Sequence, residues 1–262
     1  TTLLGAAVDT RAGLPRPRRD ARRHRHRGGQ ARPVIRDFQK TLKRRALKAG
    51  AALTPDIAER FETYYTLLSR WNAKINLTAL NLSAGDEAID RLLIEPLLAA
   101  RSVRKTDAHL IDIGSGGGSP ALPLAIAAPV LHLTMVESKV RKSAFLREAV
   151  RTLGLDARVL TQRYEGLLAD PAMHEFADVL SLRAVRVDVR TLIGLQAFVK
   201  GGGRLFLFRP VEGKEELDLA PPLSYAESIP LVESLRSQLV IVNKLRVGRK
   251  NVSRGTLPDL TP

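Results

Sequence analysis

The sequence of 262 residues predicts an α/β protein in which a mainly parallel sheet is covered by helices and preceded by a helical extension. Beyond Lys105, short apolar runs alternate with helical segments, and this alternation is typical of the parallel sheets of Rossmann-like folds. The predicted strands are 109–113, 132–136, 157–161, 178–182, 203–208 and 237–243, and the predicted helices between them are 120–128, 139–153 and 187–199.

The region before the sheet is predicted to be helical. A basic helix is expected over 36–49. The segment Thr54-Pro-Asp56 begins a second helix, because threonine is a good N-cap, proline suits the first helical position and an acid suits the first turn. This helix is predicted to end at the turn Asn76-Leu-Thr78. A further helix is expected over 86–103, kinked or restarted near Pro96.

The positive charge is concentrated at the front of the chain. Residues 1–50 hold 15 of the 42 Lys and Arg residues but only 3 of the 27 Asp and Glu residues, so the rest of the chain is nearly neutral. The arginine-rich run 16–27 has almost no apolar residues and cannot bury enough surface to order itself. It is interpreted as an RNA-binding arm, a transit peptide or a solvated, non-native extension. The lack of serine in the first fifty residues argues against a transit peptide, and we favour the extension.

Four regions are therefore predicted: a basic, disordered tail over 1–35, helices packed on the core over 36–104, a ligand-binding sheet domain over 105–248 and a tail over 249–262. The chain has no cysteine, which excludes disulfides, thiolate metal sites and a cysteine nucleophile. Its five histidines lack metal-ligand spacing, so no metal is expected. Because no apolar run reaches the roughly 20 residues that cross a bilayer, we expect a cytoplasmic protein. We also expect a monomer.

The most informative stretch is the end of the first predicted strand with the glycine-rich turn that follows it. Gly114, Gly116 and Gly118 remove Cβ atoms where the backbone must turn sharply, and they let a ligand approach closely. Asp112 places a carboxylate at the end of this strand, and Glu137 ends the next strand. An acid in that second position can accept hydrogen bonds from both hydroxyls of a ribose. A nucleotide-like ligand is therefore predicted at this edge of the sheet.

The spacing of the turn narrows the choice of ligand. It reads G-x-G-x-G, because Ser119 stands where a dinucleotide site has its third glycine. An acid at Asp112 suits a cation better than a pyrophosphate. We therefore predict S-adenosylmethionine, whose amino-acid end and sulfonium carry positive charge. The simpler alternative is an ordinary strand-to-helix turn, with Asp112 as a helix N-terminal anion and Glu137 as a cap, but neither assignment explains both acids.

Six segments also occur in a characteristic order between about Thr54 and Lys244. They are Trp71-Asn-Ala-Lys-Ile-Asn-Leu-Thr-Ala79, Asp112-Ile-Gly-Ser-Gly-Gly-Gly-Ser-Pro120, Leu122-Pro-Leu-Ala-Ile126, Glu137-Ser-Lys139, Phe145-Leu-Arg-Glu148 and Asp178-Val-Leu-Ser-Leu-Arg-Ala184. Together they resemble the glucose-inhibited division protein B family, the bacterial 16S ribosomal RNA guanine-N7 methyltransferases. The resemblance implies a class I methyltransferase fold, S-adenosylmethionine as cofactor and 16S rRNA or the small ribosomal subunit as partner.

The family's cofactor positions map onto this chain. The resemblance implies that Gly114 and Ser119 contact the methionine end of the cofactor and that Glu137 binds its ribose. It also implies that Tyr164 and Glu165 flank the adenine. The alternatives are a half-buried aromatic for Tyr164 and a helix cap for Glu165.

Two arginines, Arg183 and Arg209, are the expected catalytic residues, and the resemblance implies that Arg183 lines the cleft between cofactor and substrate. Guanine N7 is an unprotonated lone pair at neutral pH, so its methylation needs alignment rather than a general base. Either arginine would hold guanine O6 or a phosphate of a loop or flipped-out nucleotide. The alternatives are a surface ion pair for Arg183 and a salt bridge from Arg209 to Glu212 or Glu215.

Three segments depart from the family pattern. Ser119 replaces a bulky apolar residue, and the Arg-His-x-x-Asp-Ser segment reads Arg91-Leu-Leu-Ile-Glu-Pro96. The Lys-Gly pair after the fifth strand reads Arg209-Pro210, in which proline removes a backbone donor. Other functions that fit the sequence are methyl transfer to a different acceptor and a non-catalytic RNA-binding protein with a degenerate pocket. A nicotinamide dehydrogenase fits less well, because Ser119 breaks its glycine pattern.

Overall fold

The computed structural model describes residues 38–83, 85–183, 187–211 and 217–246, and within them seven strands form one sheet. The strands are β1 (His109–Ile113), β2 (His132–Val136), β3 (Ala157–Leu160), β4 (Ala177–Arg183), β5 (Val199–Pro210), β6 (Leu223–Pro230) and β7 (Ser237–Lys244). Their order across the sheet is β3-β2-β1-β4-β5-β7-β6. The first five strands are mutually parallel, and β7 runs antiparallel between β5 and β6. The predicted mainly parallel α/β fold is confirmed.

Eight α-helices accompany the sheet in the described residues. They are α1 (Phe38–Lys48), α2 (Pro55–Asn72), α3 (Asp86–Ile89), α4 (Glu95–Ala99), α5 (Ala121–Ala127), α6 (Val140–Leu153), α7 (Tyr164–Leu167) and α8 (Val189–Leu195). A π-helical turn, Asp90–Ile94, joins α3 to α4. Across the described ranges, every helix is too short or too polar to span a membrane.

The apolar side chains form two clusters, one on each face of the sheet. The larger cluster joins the helices α1, α2, α5 and α6 to the face of the sheet that contains Leu110, Val179 and Phe206. In the smaller cluster, α8 packs against the opposite face of the sheet, which contains Ile111 and Leu180. The central strands are therefore buried on both faces, which explains why they are continuous apolar runs rather than alternating ones.

Helix α2 lies antiparallel to α6 on the larger cluster. Arg60, near the start of α2, donates a hydrogen bond of 3.0 Å to the carbonyl of Leu153 at the end of α6. At the other end, the rings of Trp71 and Phe145 meet edge to face with centroids 5.9 Å apart. This arrangement brings the carboxyl end of α2 to the edge of the sheet at which β1 and β2 end.

Two elements of the structure were not predicted from the sequence. Strand β6 was not predicted, because it is an edge strand with mostly exposed, polar residues and no apolar run. The short helix α7 was also not predicted. The helix expected over 86–103 restarts near Pro96, as predicted: a π-helical turn, in which the N–H of Glu95 donates to the carbonyl of Asp90, precedes α4. The tails predicted over 1–35 and 249–262, and both Glu212 and Glu215, lie outside the described residues.

Candidate active site

The glycine-rich loop leaves β1 at the carboxyl edge of the sheet and is tied to β2. The N–H of Gly114 donates a 2.8 Å hydrogen bond to the carbonyl of Val136, the last residue of β2. Gly118 has a φ of +87°, and a Cβ there would lie 2.5 Å from Leu122 Cδ1. Glycine is therefore favoured at this position by its backbone conformation, and a Cβ would also force the side chain of Leu122 to move.

Glu137 binds the glycine loop and the start of α6 at the same time. Its Oε2 accepts a 2.9 Å hydrogen bond from the N–H of Gly116, and its Oε1 accepts a 2.8 Å bond from the N–H of Lys139. The side chain is buried, with 6% of its surface exposed. The helix-cap alternative is thus part of its role. Because a carboxylate accepts about four hydrogen bonds, its oxygens keep capacity for the hydroxyls of a ligand.

Asp112 is a buried carboxylate directly below the loop. It accepts a 2.5 Å hydrogen bond from the hydroxyl of Ser181 on β4. Burial raises the pKa of Asp112 to about 6, and the hydrogen bonds of Ser181 and Ser115 and the charge of Arg183 oppose that rise. Within the described residues it forms no ion pair. Its negative charge is therefore unfavourable until a cation approaches, which suits the positively charged end of S-adenosylmethionine.

A frame of side chains from α2 and the following turn holds the loop from outside. The hydroxyl of Tyr64 donates a 2.6 Å hydrogen bond to the carbonyl of Gly117. Asn72 Oδ1 accepts hydrogen bonds from the N–H groups of Leu77 at 2.8 Å and Thr78 at 3.0 Å. The carbonyl of Leu77 lies close enough to Gly117 that an added Cβ would be 3.3 Å from it. The Trp-Asn…Asn-Leu-Thr motif thus shapes the wall of the site, a role that the sequence analysis missed.

Ser119 makes a contact that the sequence analysis did not predict. Its hydroxyl donates a 2.9 Å hydrogen bond to the carbonyl of Leu92, in the π-helical turn. Leu92 lies four residues before Pro96, which has no N–H to donate to that carbonyl. Ser119 thus supplies the missing donor. Two departures from the family pattern, Ser119 and Pro96, are therefore linked through one carbonyl group, and the hydroxyl of Ser119 keeps its acceptor capacity.

Arg183 ends β4 and is mostly enclosed, with 13% of its side chain exposed. Its Nη1 forms an ion pair with Glu95 of α4, and its guanidinium lies 4.6 Å from the centre of the Phe208 ring. Its Nε and Nη2 are buried, and neither has a hydrogen-bond partner within the described part of the chain. The ion pair considered for Arg183 therefore exists, but it lies in the interior rather than on the surface. Burial lowers the pKa of Arg183, and the charge of Glu95 opposes that shift.

Glu95 is a site residue that the sequence analysis did not single out. Its side chain is 1% exposed and lies between Arg183 and Arg91, whose Nη1 is 3.3 Å from Glu95 Oε1. Its place in the Arg91-Leu-Leu-Ile-Glu-Pro96 segment, where the family has an aspartate, was the available signal. One buried carboxylate thus orients two guanidinium groups.

The structure does not bring Arg209 together with Arg183. Arg183 pairs with Phe208 in the register of β4 and β5. Because side chains alternate along a strand, Arg209 lies on the opposite face of the sheet from Phe208 and Arg183. Both arginines thus lie at the carboxyl ends of β4 and β5, but on opposite faces of the sheet.

Tyr164 and Glu165 lie beyond the carboxyl end of β3, the neighbour of β2. Tyr164 is half-buried and packs against the smaller cluster, and Glu165 is exposed in the first turn of α7. A Cβ on Gly194 of α8 would be 3.8 Å from Tyr164 Cε2, so this ring lies beside α8. Both residues are at the edge of the sheet that also contains Glu137.

The parallel sheet, the glycine loop and the two acids define a class I, S-adenosylmethionine-dependent methyltransferase. The family model of the rRNA small subunit methyltransferase G matches residues 57–232, and the chain belongs to this family. The resemblance to the glucose-inhibited division protein B family is thereby confirmed.

Individual relatives carry the name ribosomal RNA small subunit methyltransferase G. The protein from Chloroflexus aggregans is 34% identical over 206 residues, which cover 75% of this chain and 85% of that protein. The protein from Stenotrophomonas maltophilia is 40% identical over 176 residues, covering 65% of this chain and 76% of its own length. The protein from Roseiflexus castenholzii is 40% identical over 153 residues, covering 58% of this chain but only 64% of its own length.

Proposed function

We propose that this chain transfers the methyl group of S-adenosylmethionine to N7 of a guanine in 16S ribosomal RNA. The observation that carries the proposal is the convergence of Asp112, Glu137 and Arg183 at the carboxyl ends of the neighbouring strands β1, β2 and β4. Ligands of parallel sheets bind at this edge. Membership of the rRNA small subunit methyltransferase G family supports the choice of acceptor.

In this proposal the cofactor is held by residues of three strand ends. Asp112 stabilises its cationic methionine end, and the loop 114–118 lets the backbone approach closely. Ser119 contacts the methionine end, and its hydrogen bond to the carbonyl of Leu92 fixes the position of its side chain. Glu137 accepts hydrogen bonds from the ribose hydroxyls, while Tyr164 and Glu165 flank the adenine. When bound, S-adenosylmethionine supplies an electrophilic methyl group.

The acceptor base is positioned by Arg183. Its buried Nε and Nη2 are donors that lack an acceptor within the described residues, and guanine O6 or a phosphate oxygen would satisfy them. N7 is left free to attack, and no proton needs to be removed from it, so orientation is the main contribution of the protein. Glu95 fixes the guanidinium from behind. Arg209, on the opposite face of the sheet, is assigned a separate contact with an RNA phosphate.

The proposal is tested by methyl transfer to small ribosomal subunits from a strain that lacks this modification. We expect incorporation of one methyl group, and mass spectrometry of the digested 16S rRNA should identify 7-methylguanosine at a single position. Purified 16S rRNA without proteins serves as the second substrate. A methyl group on another base atom would indicate a different acceptor. Tight binding of subunits and cofactor without transfer would favour the non-catalytic alternative.

The raised pKa of Asp112 predicts that cofactor affinity depends on pH. Because burial places this pKa at about 6, the carboxyl group becomes protonated below that pH and loses its attraction for a cation. We expect affinity for S-adenosylmethionine to fall by up to about tenfold per pH unit below the pKa, since one pKa unit is about 1.4 kcal/mol. Calorimetry from pH 8 down to pH 5 measures this.

The matched control is Asp112→Asn, which should bind the cofactor weakly at pH 8 and lose the dependence on pH. The stability of the unliganded wild type should depend on pH in the opposite direction to its cofactor affinity. A carboxyl group whose pKa is raised in the folded state stabilises the fold at low pH, and this contribution is lost as the pH rises through about 6. A wild-type affinity that stays constant down to pH 5 would contradict the assignment of Asp112 to the cationic end.

A further inference from the structure

A group of basic side chains surrounds the candidate cofactor site on the side of β2 and β3. We call it the basic rim, and it consists of Lys74, Lys139, Arg141, Lys142 and Arg163. All are exposed except Lys142, which is half-buried. In the part of the chain that the structure describes, none of the five forms an ion pair. By contrast, Arg70 and Arg45, which lie on helices of the same face, are paired with Glu148 and Asp90.

Three different elements contribute to the basic rim, and the fold brings them to one edge. Lys139, Arg141 and Lys142 stand at the start of α6, immediately after Glu137. Arg163 follows β3, whose last residue, Leu160, accepts a 3.0 Å hydrogen bond from the N–H of Glu137.

The third element is the carboxyl end of α2, which contributes Lys74. The edge-to-face contact of Trp71 with Phe145 places this end of α2 beside the first half of α6. Leu77, in the turn that contains Lys74, packs against Gly117 of the glycine loop. Lys74 therefore lies on the same side of the candidate site as the start of α6.

The three rim cations at the start of α6 lie at an unfavourable position of that helix. Helix α6 has no acidic residue in its first turn, and cations at that end of a helix are repelled by its dipole. The nearby carboxylate of Glu137 is buried and already accepts two backbone N–H groups. Residues 51–262 hold 27 Lys and Arg residues against 24 Asp and Glu residues and are nearly neutral in total. The positive charge of the basic rim is therefore a local excess. An external polyanion would relieve this repulsion.

We propose that the basic rim binds the phosphate backbone of ribosomal RNA around the target nucleotide. This inference rests on the proposed function, which makes a polyanion the substrate of the adjacent site. The rim contacts phosphates and carries no base specificity, which is left to the region around Arg183. It holds the RNA on the β2–β3 side of the cofactor, so that the target base enters from the side of β4.

The test compares two triple variants of the full chain that lose the same charge. The rim variant Lys74→Gln/Arg141→Gln/Arg163→Gln takes one cation from each of the three elements. The control variant Lys43→Gln/Lys105→Gln/Arg151→Gln removes three exposed cations elsewhere. The affinity for purified small ribosomal subunits is measured at several salt concentrations, and that for S-adenosylmethionine by calorimetry.

The rim variant should bind subunits more weakly, and its slope of log K against log salt should be shallower by about 2–3, because each of the three lost phosphate contacts contributes about 0.7–0.9. The control should match the wild type, and all three proteins should bind S-adenosylmethionine equally. Equal slopes for the two triple variants would overturn the inference. If the wild type methylates subunits but the rim substitutions do not change the affinity for subunits, only this inference fails. If binding depends on the rim but no methyl group is transferred, only the proposed function fails.

Discussion

Arg183→Met should destabilise the protein by about 3–5 kcal/mol, because it leaves the carboxylate of Glu95 buried without its main partner. The remaining contact of Glu95 with Arg91, at 3.3 Å, places the expected value at the lower end of that range. Denaturant unfolding monitored by circular dichroism measures the loss. Methyl transfer to small ribosomal subunits should fall as well, because the substitution removes Nε and Nη2, which have no hydrogen-bond partner among the described residues.

The double variant Arg183→Met/Glu95→Leu separates the two effects. Replacing a buried ion pair by apolar residues of similar size is often neutral for stability, so most of the lost free energy of unfolding should return. Methyl transfer should not return, because no donor is left to hold the acceptor base. A double variant that methylates subunits at the wild-type rate would show that Arg183 only stabilises the fold.

The centre of the fold was predictable from the sequence for physical reasons. Strands β1 and β2 were predicted with their observed bounds, because central parallel strands are buried on both faces and read as apolar runs between turns. The edge at which Asp112 and Glu137 meet followed from the same rule, since adjacent parallel strands end together. The bounds of these strands can be predicted from local sequence patterns, because the residues that specify each strand lie within it.

The contacts that complete the site depend on residues far apart in the sequence. Glu95 and Arg183 are separated by 88 residues, and no periodicity relates a helix residue to a strand end at that distance. The face on which Arg209 lies depends on the register between β4 and β5, which the sequence does not specify. The hydrogen bond from Ser119 to the carbonyl of Leu92 forms only when the π-helical turn is in place. From the sequence alone, Ser119 and Pro96 therefore looked like two unrelated departures from the family pattern.

Glu137→Ala should weaken S-adenosylmethionine binding strongly, because two charge-assisted hydrogen bonds to the ribose are lost, each worth on the order of 1.5–3 kcal/mol. The structure adds a second cause. The N–H groups of Gly116 and Lys139 also lose their acceptor, which loosens the glycine loop and the start of α6. Calorimetry with S-adenosylhomocysteine as the stable ligand measures the combined effect.

A ligand that lacks both ribose hydroxyls distinguishes direct binding from loss of loop structure. The wild type should bind this dideoxy analogue of S-adenosylhomocysteine more weakly than the parent, whereas Glu137→Ala should discriminate little between the two. The difference between the two free-energy changes isolates the contact of the carboxylate with the hydroxyls, as in a double-mutant cycle. An equal loss of affinity for both ligands on substitution would mean that Glu137 acts only through the loop, and that the ribose is held by another residue.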